Sequence, residues 1–127
     1  MTTESTEAFR DSARAFLGRG NQLTRVRALR GTIPGFDRKV WQELAEAGWL
    51  SILAPETHGG LGLGAREVCA IAEEVGRHLL PEPFVAGAVQ AVAALCHVPD
   101  TELRARLLDQ VLSGRIIAGL AWQESPG

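Results

Sequence analysis

A glycine-rich segment, residues 55–64 with the sequence PETHGGLGLG, has residue types and spacing that could bind phosphate. Gly60, Gly62 and Ala65 match the G-x-G-x-x-G/A spacing of a dinucleotide-binding loop, and a helical pattern begins near Ala65. Glycines in such a loop let the backbone approach a pyrophosphate, which the amides at the helix N-terminus stabilise. The first candidate chemistry is therefore the binding of a nucleotide cofactor.

Two features of the surrounding sequence disfavour this dinucleotide site. Residues 55–59 separate the apolar segment WLSILA from Gly60, where the motif requires a tight turn from strand to helix. The next helix is followed by two prolines and another helical pattern, not by the second parallel strand of a βαβ unit. The alternative is that the glycines only allow a compact loop with several turns at positive φ.

The other reactive residue types lack the spacing of a metal site. The three histidines lie in the loop or near predicted helix ends, where an imidazole can cap carbonyl groups: His58, His78 and His97. Cys69 and Cys96 have no Cys or His neighbour at metal-ligand spacing, and we expect both to be buried, reduced thiols. We therefore predict that the chain binds no metal.

Composition and charge describe one ordinary globular domain. The chain has 127 residues, of which 46% are hydrophobic and 22% charged, and a net charge of −2. A basic N-terminal stretch contains only Asp11 and Asp37 as acids, beside Arg10, Arg14, Arg19, Arg25, Arg27, Arg30, Arg38 and Lys39. Such a stretch can attract phosphates, but no nucleic-acid motif or interleaved aromatic set accompanies it.

We therefore expect no nucleic-acid partner. No apolar run has the length of a membrane span, and residues 1–12 lack the apolar region of a signal peptide. We also expect no membrane partner and a cytoplasmic location.

The spacing of apolar residues predicts about five helices, over residues 5–17, 38–47, 65–79, 85–96 and 101–112. Asp37 and Asp100 are predicted N-caps, and Gly48 suits the left-handed position after a helix. Residues 85–96 are rich in alanine and almost uncharged, which predicts a helix buried on most of its circumference. The apolar residues 49–54 could be extended.

The periodicity changes after Gly114. Residues 115–123, RIIAGLAWQ, predict a buried strand, whose only extended candidate partner in the chain is residues 49–54. The sequence thus predicts a mainly α fold, an up-down bundle of about five helices over residues 1–114. Residues 115–127 would follow as one strand that begins a β domain absent from this chain or supplied by another chain.

The order of these segments resembles the N-terminal helical domain of the acyl-CoA dehydrogenases. The resemblance rests on LAEAGW, LSILAPE, HGGLGLG and AEEVGR in succession, and GLAWQESPG is similar to the family's first β-domain strand. It covers nearly the whole chain from about Phe9. It implies that residues 1–114 are that helical domain and that residues 115–127 start the middle β domain.

The resemblance also implies a chemistry. Family members bind FAD and take part in lipid metabolism by α,β-dehydrogenation of an acyl-CoA thioester. A glutamate removes the α-proton while the β-hydrogen leaves as hydride to the flavin. That glutamate lies in the family's C-terminal domain, so we expect no catalytic residue and no activity in the isolated chain. Glu73 and Glu74 are expected to be structural, as exposed or interdomain charges.

The resemblance also implies which residues of this chain contact the ligands. Leu120, Trp122 and Gln123 fall where the family's strand contacts the flavin, although Gln123 replaces the commoner Thr or Ser. The segment that lines the family's acyl-chain pocket contains four small or apolar residues, which core packing would explain equally well: Phe84, Gly87, Ala88 and Ala91.

The resemblance also implies binding partners. The implied partners are an acyl-CoA, the other subunits of a homo- or hetero-tetramer and an electron-transfer acceptor protein. The run GRHLLPEPF resembles bacterial members that act on bulky acyl-CoAs, including members built from two different subunits.

One alternative function is that of a non-catalytic helical subunit or interaction module of a hetero-oligomeric dehydrogenase. Another is a phosphate or nucleic-acid binder that uses the N-terminal arginines.

Overall fold

The computed structural model describes residues 3–125, and the regular secondary structure of this part of the chain is entirely helical, with no strand. The mainly α prediction is confirmed. Two 3₁₀ turns, Trp49–Ser51 and Glu56–His58, precede the fourth α-helix, and a π-helix, Phe84–Gln90, runs directly into the fifth. The six α-helices are α1 Thr3–Leu17, α2 Gln22–Leu29, α3 Arg38–Glu46, α4 Ala65–Arg77, α5 Ala91–Leu95 and α6 Thr101–Leu112.

The helix ends follow the predicted caps. The Asp37 carboxylate accepts a hydrogen bond from the Lys39 amide at 2.8 Å. The Asp100 carboxylate accepts one from the Leu103 amide at 2.9 Å. Gly48 follows α3 with φ of 80°, the left-handed conformation that glycine adopts without steric cost.

Two apolar clusters form the core. In the larger cluster, α1 packs against α4, and Trp49 lies between the rings of Phe16 and Phe84, with ring centroids 5.2 and 6.3 Å apart. The smaller cluster joins α6 to α5 and consists of Ala54, Val92, Leu108, Val111 and Leu112. The π-helix packs against the first 3₁₀ turn and α4, and α5 packs against α6.

Helix α2 is not predicted by the sequence pattern. None of its residues is buried, so it lacks the apolar stripe that would reveal a helix by periodicity. The Asn21 side chain caps it by accepting from the Thr24 amide at 3.1 Å. The Gln22 side chain donates to the Leu17 carbonyl at 3.3 Å and connects α2 to the end of α1.

No strand is visible among residues 115–123 of the described part, and their assignment as the start of a β domain stays a prediction. A strand requires a neighbouring strand to pair its amides and carbonyls. Residues 49–54, the only extended candidate partner in the chain, form a 3₁₀ turn and bends, so the prediction that they could be extended is wrong. Residues 117–123 therefore have no regular secondary structure, and residues 126–127 lie outside the described part.

A buried glutamate connects the segment before the π-helix to the N-terminal helices. The Glu82 side chain is fully buried, pairs with Arg25 of α2 and accepts the Asp37 amide at 2.9 Å. The sequence analysis assigned no role to Glu82. Since α2 has no buried residue, this pair is its main attachment to the domain.

We expect Arg25→Ala to lower the free energy of unfolding by about 2 kcal/mol, because it leaves a buried carboxylate without its cation. The value is below that of a fully buried pair because the Arg25 side chain is 22% exposed. Urea denaturation measures the change. Arg27→Ala on the same helix is the control and should change stability by less than about 0.5 kcal/mol. Equal effects of the two substitutions would contradict the structural role of Glu82.

None of the helices in the described residues is long and apolar enough to cross a membrane.

Candidate functional site

The glycine loop does not offer its amides to a phosphate. The amides of residues 60–63 donate to backbone carbonyls within residues 51–55 at 2.8–3.0 Å. Gly59 and Gly62 have φ of 78° and 61°, as the compact-loop interpretation predicts. The loop is thus folded back on residues 51–55, and its glycines serve the chain's own backbone.

The N-terminus of α4 already holds an anion. The Glu67 carboxylate accepts hydrogen bonds from the Gly64 amide at 3.2 Å and from the Thr6 hydroxyl at 3.1 Å. Hydrogen bonds, first from its own amide and then from Gly64, Thr6 and Ser5, hold the pKa of the Glu67 carboxyl below its ordinary value, although burial opposes the shift. A pyrophosphate at this helix end would meet a carboxylate, which further disfavours the dinucleotide interpretation.

The two glutamates of α4 have different environments. Glu73 is exposed, and its hydrogen bond from Arg10 lowers the pKa of its carboxyl. Glu74 is fully buried and accepts from Arg14 of α1 at 3.1 Å, with Arg77 3.8 Å away. The expectation that Glu74 is exposed or lies between domains is therefore wrong, because α1 covers it within this domain.

These ion pairs also account for much of the basic N-terminal stretch. Arg10, Arg14 and Arg25 pair with glutamates, and Arg38 donates to the Arg115 carbonyl at 3.0 Å. Arg19 donates to the Phe16 carbonyl at 3.4 Å and lies over the Phe16 ring, so five of the eight basic residues act within the fold. The pattern that suggested a phosphate binder reflects the way in which α1 and α2 attach to the domain.

Histidines and cysteines form no reactive cluster. His78 Nδ1 lies 2.9 Å from the Glu74 carbonyl and His97 Nδ1 lies 2.8 Å from the Ala93 carbonyl, which confirms that they cap helix ends. Cys69 is exposed and Cys96 is partly exposed, so the expectation that both are buried is wrong.

Partial burial raises the pKa of the Cys96 thiol, with a smaller opposing effect from Arg104. Within residues 3–125 no three His, Cys, Asp or Glu side chains are grouped to hold a metal ion.

The four predicted acyl-pocket residues lie in or just after the π-helix and face the core. Phe84, Ala88 and Ala91 are at most 3% exposed, and Gly87 is also buried. The opposite face of the π-helix is exposed at Val85 and Ala86. The sequence predicts one α-helix over residues 85–96, whereas the structure divides it into the π-helix and α5.

The three predicted flavin residues are exposed near the end of the described chain. Leu120 is 49% exposed and Trp122 is 74% exposed. Gln123 donates from its side chain to the Ser125 carbonyl at 3.0 Å. Large exposed apolar side chains two positions apart in a segment without secondary structure indicate a surface that another part of a protein or a ligand covers.

One apolar groove contains a residue of each predicted set. This groove, which we call the α5 groove, lies between α5 and the terminal segment and has a volume of about 170 Å³. Ala91 of the acyl set and Leu120 of the flavin set both line it. The full lining is Ala91, Ala94, Leu95, Val98, Ala118, Gly119 and Leu120.

The α5 groove is smaller than the roughly 300–1,000 Å³ of complete small-molecule sites, so it is suited to form one wall of a site. The sequence analysis did not predict Ala94, Leu95 and Val98 at this position. The absence of charge in residues 85–96 was the signal for them, but it did not show which side of the helix stays open.

The chain matches the family model described as acyl-CoA dehydrogenase, N-terminal domain, over residues 3–115. The acyl-CoA dehydrogenase FadE27 of Mycobacterium tuberculosis is 39% identical over 69 residues, which are 54% of this chain and 18% of that protein. The acyl-CoA dehydrogenase IpdE2 of Mycolicibacterium smegmatis is 28% identical over 116 residues, which are 91% of this chain and 37% of that protein.

Solved structures show the same fold. In the crystal structure of the ChsE4-ChsE5 complex from Mycobacterium tuberculosis, the matched chain has a TM-score of 0.84 at 29% identity. The match covers all of this chain and 35% of that one. The Tcur3481-Tcur3483 steroid ACAD gives a TM-score of 0.71 at 30% identity, over 92% of this chain and 31% of that one.

This chain therefore spans at most 37% of the length of any of these similar proteins. The family match covers nearly all of the described residues and agrees with the resemblance in the sequence. The chain belongs to the acyl-CoA dehydrogenase family, of which it carries the N-terminal domain.

Proposed function

We propose that this chain is the N-terminal part of a cytoplasmic, FAD-dependent acyl-CoA dehydrogenase that introduces an α,β double bond into an acyl-CoA thioester. The observation that carries the proposal is the α5 groove, where Ala91 of the acyl set and Leu120 of the flavin set line one apolar surface. A reacting acyl chain must lie beside the flavin, so residues for the two ligands must meet at one site.

The terminal segment suits a flavin. Within the described residues, no backbone amide of residues 117–123 donates to another backbone group, so these amides are free to bind a polar ring edge. The exposed apolar side chains of Leu120 and Trp122 can pack on an aromatic ring system, and Gln123 supplies an amide side chain. FAD, when bound, accepts the hydride from the β-carbon of the substrate.

The residues of this chain would bind and orient the acyl group and exclude water. Ala94, Leu95 and Val98 extend the apolar wall beside Ala91. Phe84, Gly87 and Ala88 support this wall from beneath, because all three are buried in the core. The base that removes the α-proton is proposed to lie outside this chain, so residues 1–127 alone would be inactive.

The similar proteins support a bulky substrate and a mixed assembly. One solved structure is a ChsE4-ChsE5 complex and another is a Tcur3481-Tcur3483 steroid ACAD, both named for two components. We propose that the substrate is an acyl-CoA with a bulky group such as a steroid and that the enzyme is a hetero-tetramer. An electron-transfer protein would reoxidise its flavin.

The test uses the complete protein, purified with any subunit that accompanies it. We expect flavin absorbance that bleaches when a steroid acyl-CoA is added. Ala94→Phe, which fills the α5 groove, should lower kcat/KM for this substrate by about tenfold or more. Ala105→Phe on α6, outside the groove, is the matched control and should leave kcat/KM unchanged.

Two outcomes would decide against the proposal. A colourless preparation without acyl-CoA-dependent reduction of any flavin would refute the enzyme assignment. A colourless chain that accompanies a flavin-containing partner would favour the second candidate, a non-catalytic helical subunit of a hetero-oligomeric dehydrogenase. The two-component names of the similar structures are the observation that favours this candidate.

A further inference from the structure

The backbone of the π-helix lies unusually close to the side chain of Trp41 on α3. A Cβ atom built on Gly87 would lie 2.7 Å from Cη2 and 3.0 Å from Cζ2 of Trp41. Cβ atoms essentially never approach another heavy atom within 3.0 Å, so only glycine fits position 87 at this separation. The φ of Gly87 is not positive, and the close approach alone requires the glycine.

The Trp41 side chain has little freedom to yield. Trp41 is completely buried within the larger core cluster. Interiors of this kind are close-packed, and an added methyl group forces side chains or backbone to shift. A larger residue at position 87 would therefore push the π-helix away from α3.

Both walls of the α5 groove depend on this contact. Ala91 follows Gly87 by four residues, and its amide donates to the Ala86 carbonyl, so α5 continues the π-helix without a break. On the other wall, Ile117 precedes Leu120 by three residues. The Cβ built on Gly87 would lie 3.5 Å from Cγ2 of Ile117, so the terminal segment also touches position 87.

We infer that Trp41 and Gly87 are positioning residues that set the width of the α5 groove and thereby the acyl groups that it accepts. This inference rests on the proposed function. Neither residue needs to touch substrate, because both act through the position of the π-helix. Extended π-helices are rare in proteins and frequently lie at functional sites, in agreement with this role.

Three variants of the complete protein test the inference: Gly87→Ala, Trp41→Phe and the double variant. Phenylalanine lacks the outer indole ring that carries Cη2 and Cζ2, so it makes room for the alanine methyl group. Gly76→Ala on α4 is the matched control, because a Cβ there would meet nothing within 4 Å. The readouts are the melting temperature and the ratio of kcat/KM for a bulky acyl-CoA to that for a short, straight one.

We expect Gly87→Ala to change this selectivity ratio by about tenfold or more. In the double variant, both the selectivity ratio and the melting temperature should return toward the values of the unaltered protein. Gly76→Ala should leave the ratio unchanged. If Gly87→Ala does not fold, Trp41→Phe and the double variant carry the test, and their ratios should differ from each other.

The inference is overturned if the folded Gly87→Ala variant keeps the original ratio, or if Trp41→Phe fails to offset it. A merely structural contact would move the melting temperature and leave the ratio between substrates unchanged. Absence of turnover in the unaltered protein would instead refute the proposed function, and the inference with it. Turnover with an unaltered ratio in the variants refutes the inference alone.

Discussion

Gly60→Ala is expected to destabilise the domain by about 3 kcal/mol or more, because the added methyl group overlaps the backbone. The new Cβ would lie 1.9 Å from the Ala54 carbonyl oxygen and 2.3 Å from its carbon. This carbonyl cannot move freely, since it accepts the Gly62 amide at 2.9 Å and Ala54 is fully buried. In a phosphate-binding loop, glycine lets the backbone approach a ligand. Here Gly60 lets the loop backbone approach the Ala54 carbonyl inside the fold.

Urea denaturation of the two proteins measures the difference in the free energy of unfolding. Gly64→Ala in the same loop is the control, because its Cβ would make only an ordinary contact of 3.8 Å with Glu67 Oε2. The expected loss for Gly64→Ala is below about 1 kcal/mol, the usual difference between residues at a helix N-cap. Similar losses for Gly60 and Gly64 would show that the loop does not depend on the approach to Ala54.

Trp49→Ala is expected to lower the free energy of unfolding by about 4 kcal/mol, which is within the usual range for removing a large buried aromatic side chain. Trp49 is 1% exposed and its ring contacts Phe16 of α1 and Phe84 of the π-helix in edge-to-face geometry. Its loss would open a cavity between the N-terminal helices and the π-helix. Domains of this size have a total stability of roughly 5–15 kcal/mol, so the variant would be close to unfolding.

Trp122→Ala provides a control of the same residue type, because Trp122 is 74% exposed. Its effect on the free energy of unfolding should stay below about 0.5 kcal/mol. Thermal or urea denaturation compares the two variants under identical conditions. If Trp122→Ala destabilised the domain as much as Trp49→Ala, the assignment of Trp49 to the centre of the core would be wrong.

Sequence reasoning succeeded where a single segment carries its own signal. Helices α1, α3, α4 and α6 have apolar residues at helical spacing, and Asp37 and Asp100 cap α3 and α6 as predicted. It failed for α2, which has no buried residue and so no apolar stripe. The strand predicted for residues 115–123 is not visible, and no second strand is present among the described residues to pair with it.

The functional site was predicted only in part, because it depends on contacts between segments that are distant in the sequence. The seven site residues were assigned from family resemblance, and the structure brings Ala91 and Leu120 into one groove. It also shows that Phe84, Gly87 and Ala88 face inward, which no pattern within residues 84–91 could reveal. The binding roles of all seven remain predictions.

The sequence by itself determined the helical class, most helix ends and the family, because periodicity, caps and the order of segments are local properties of the chain. Only the tertiary structure decided which groups meet across it. Glu74 is buried because α1 supplies Arg14, and Gly87 is required because Trp41 lies beneath the π-helix. Such contacts join residues more than 40 positions apart, and their distances follow from packing that no local pattern encodes.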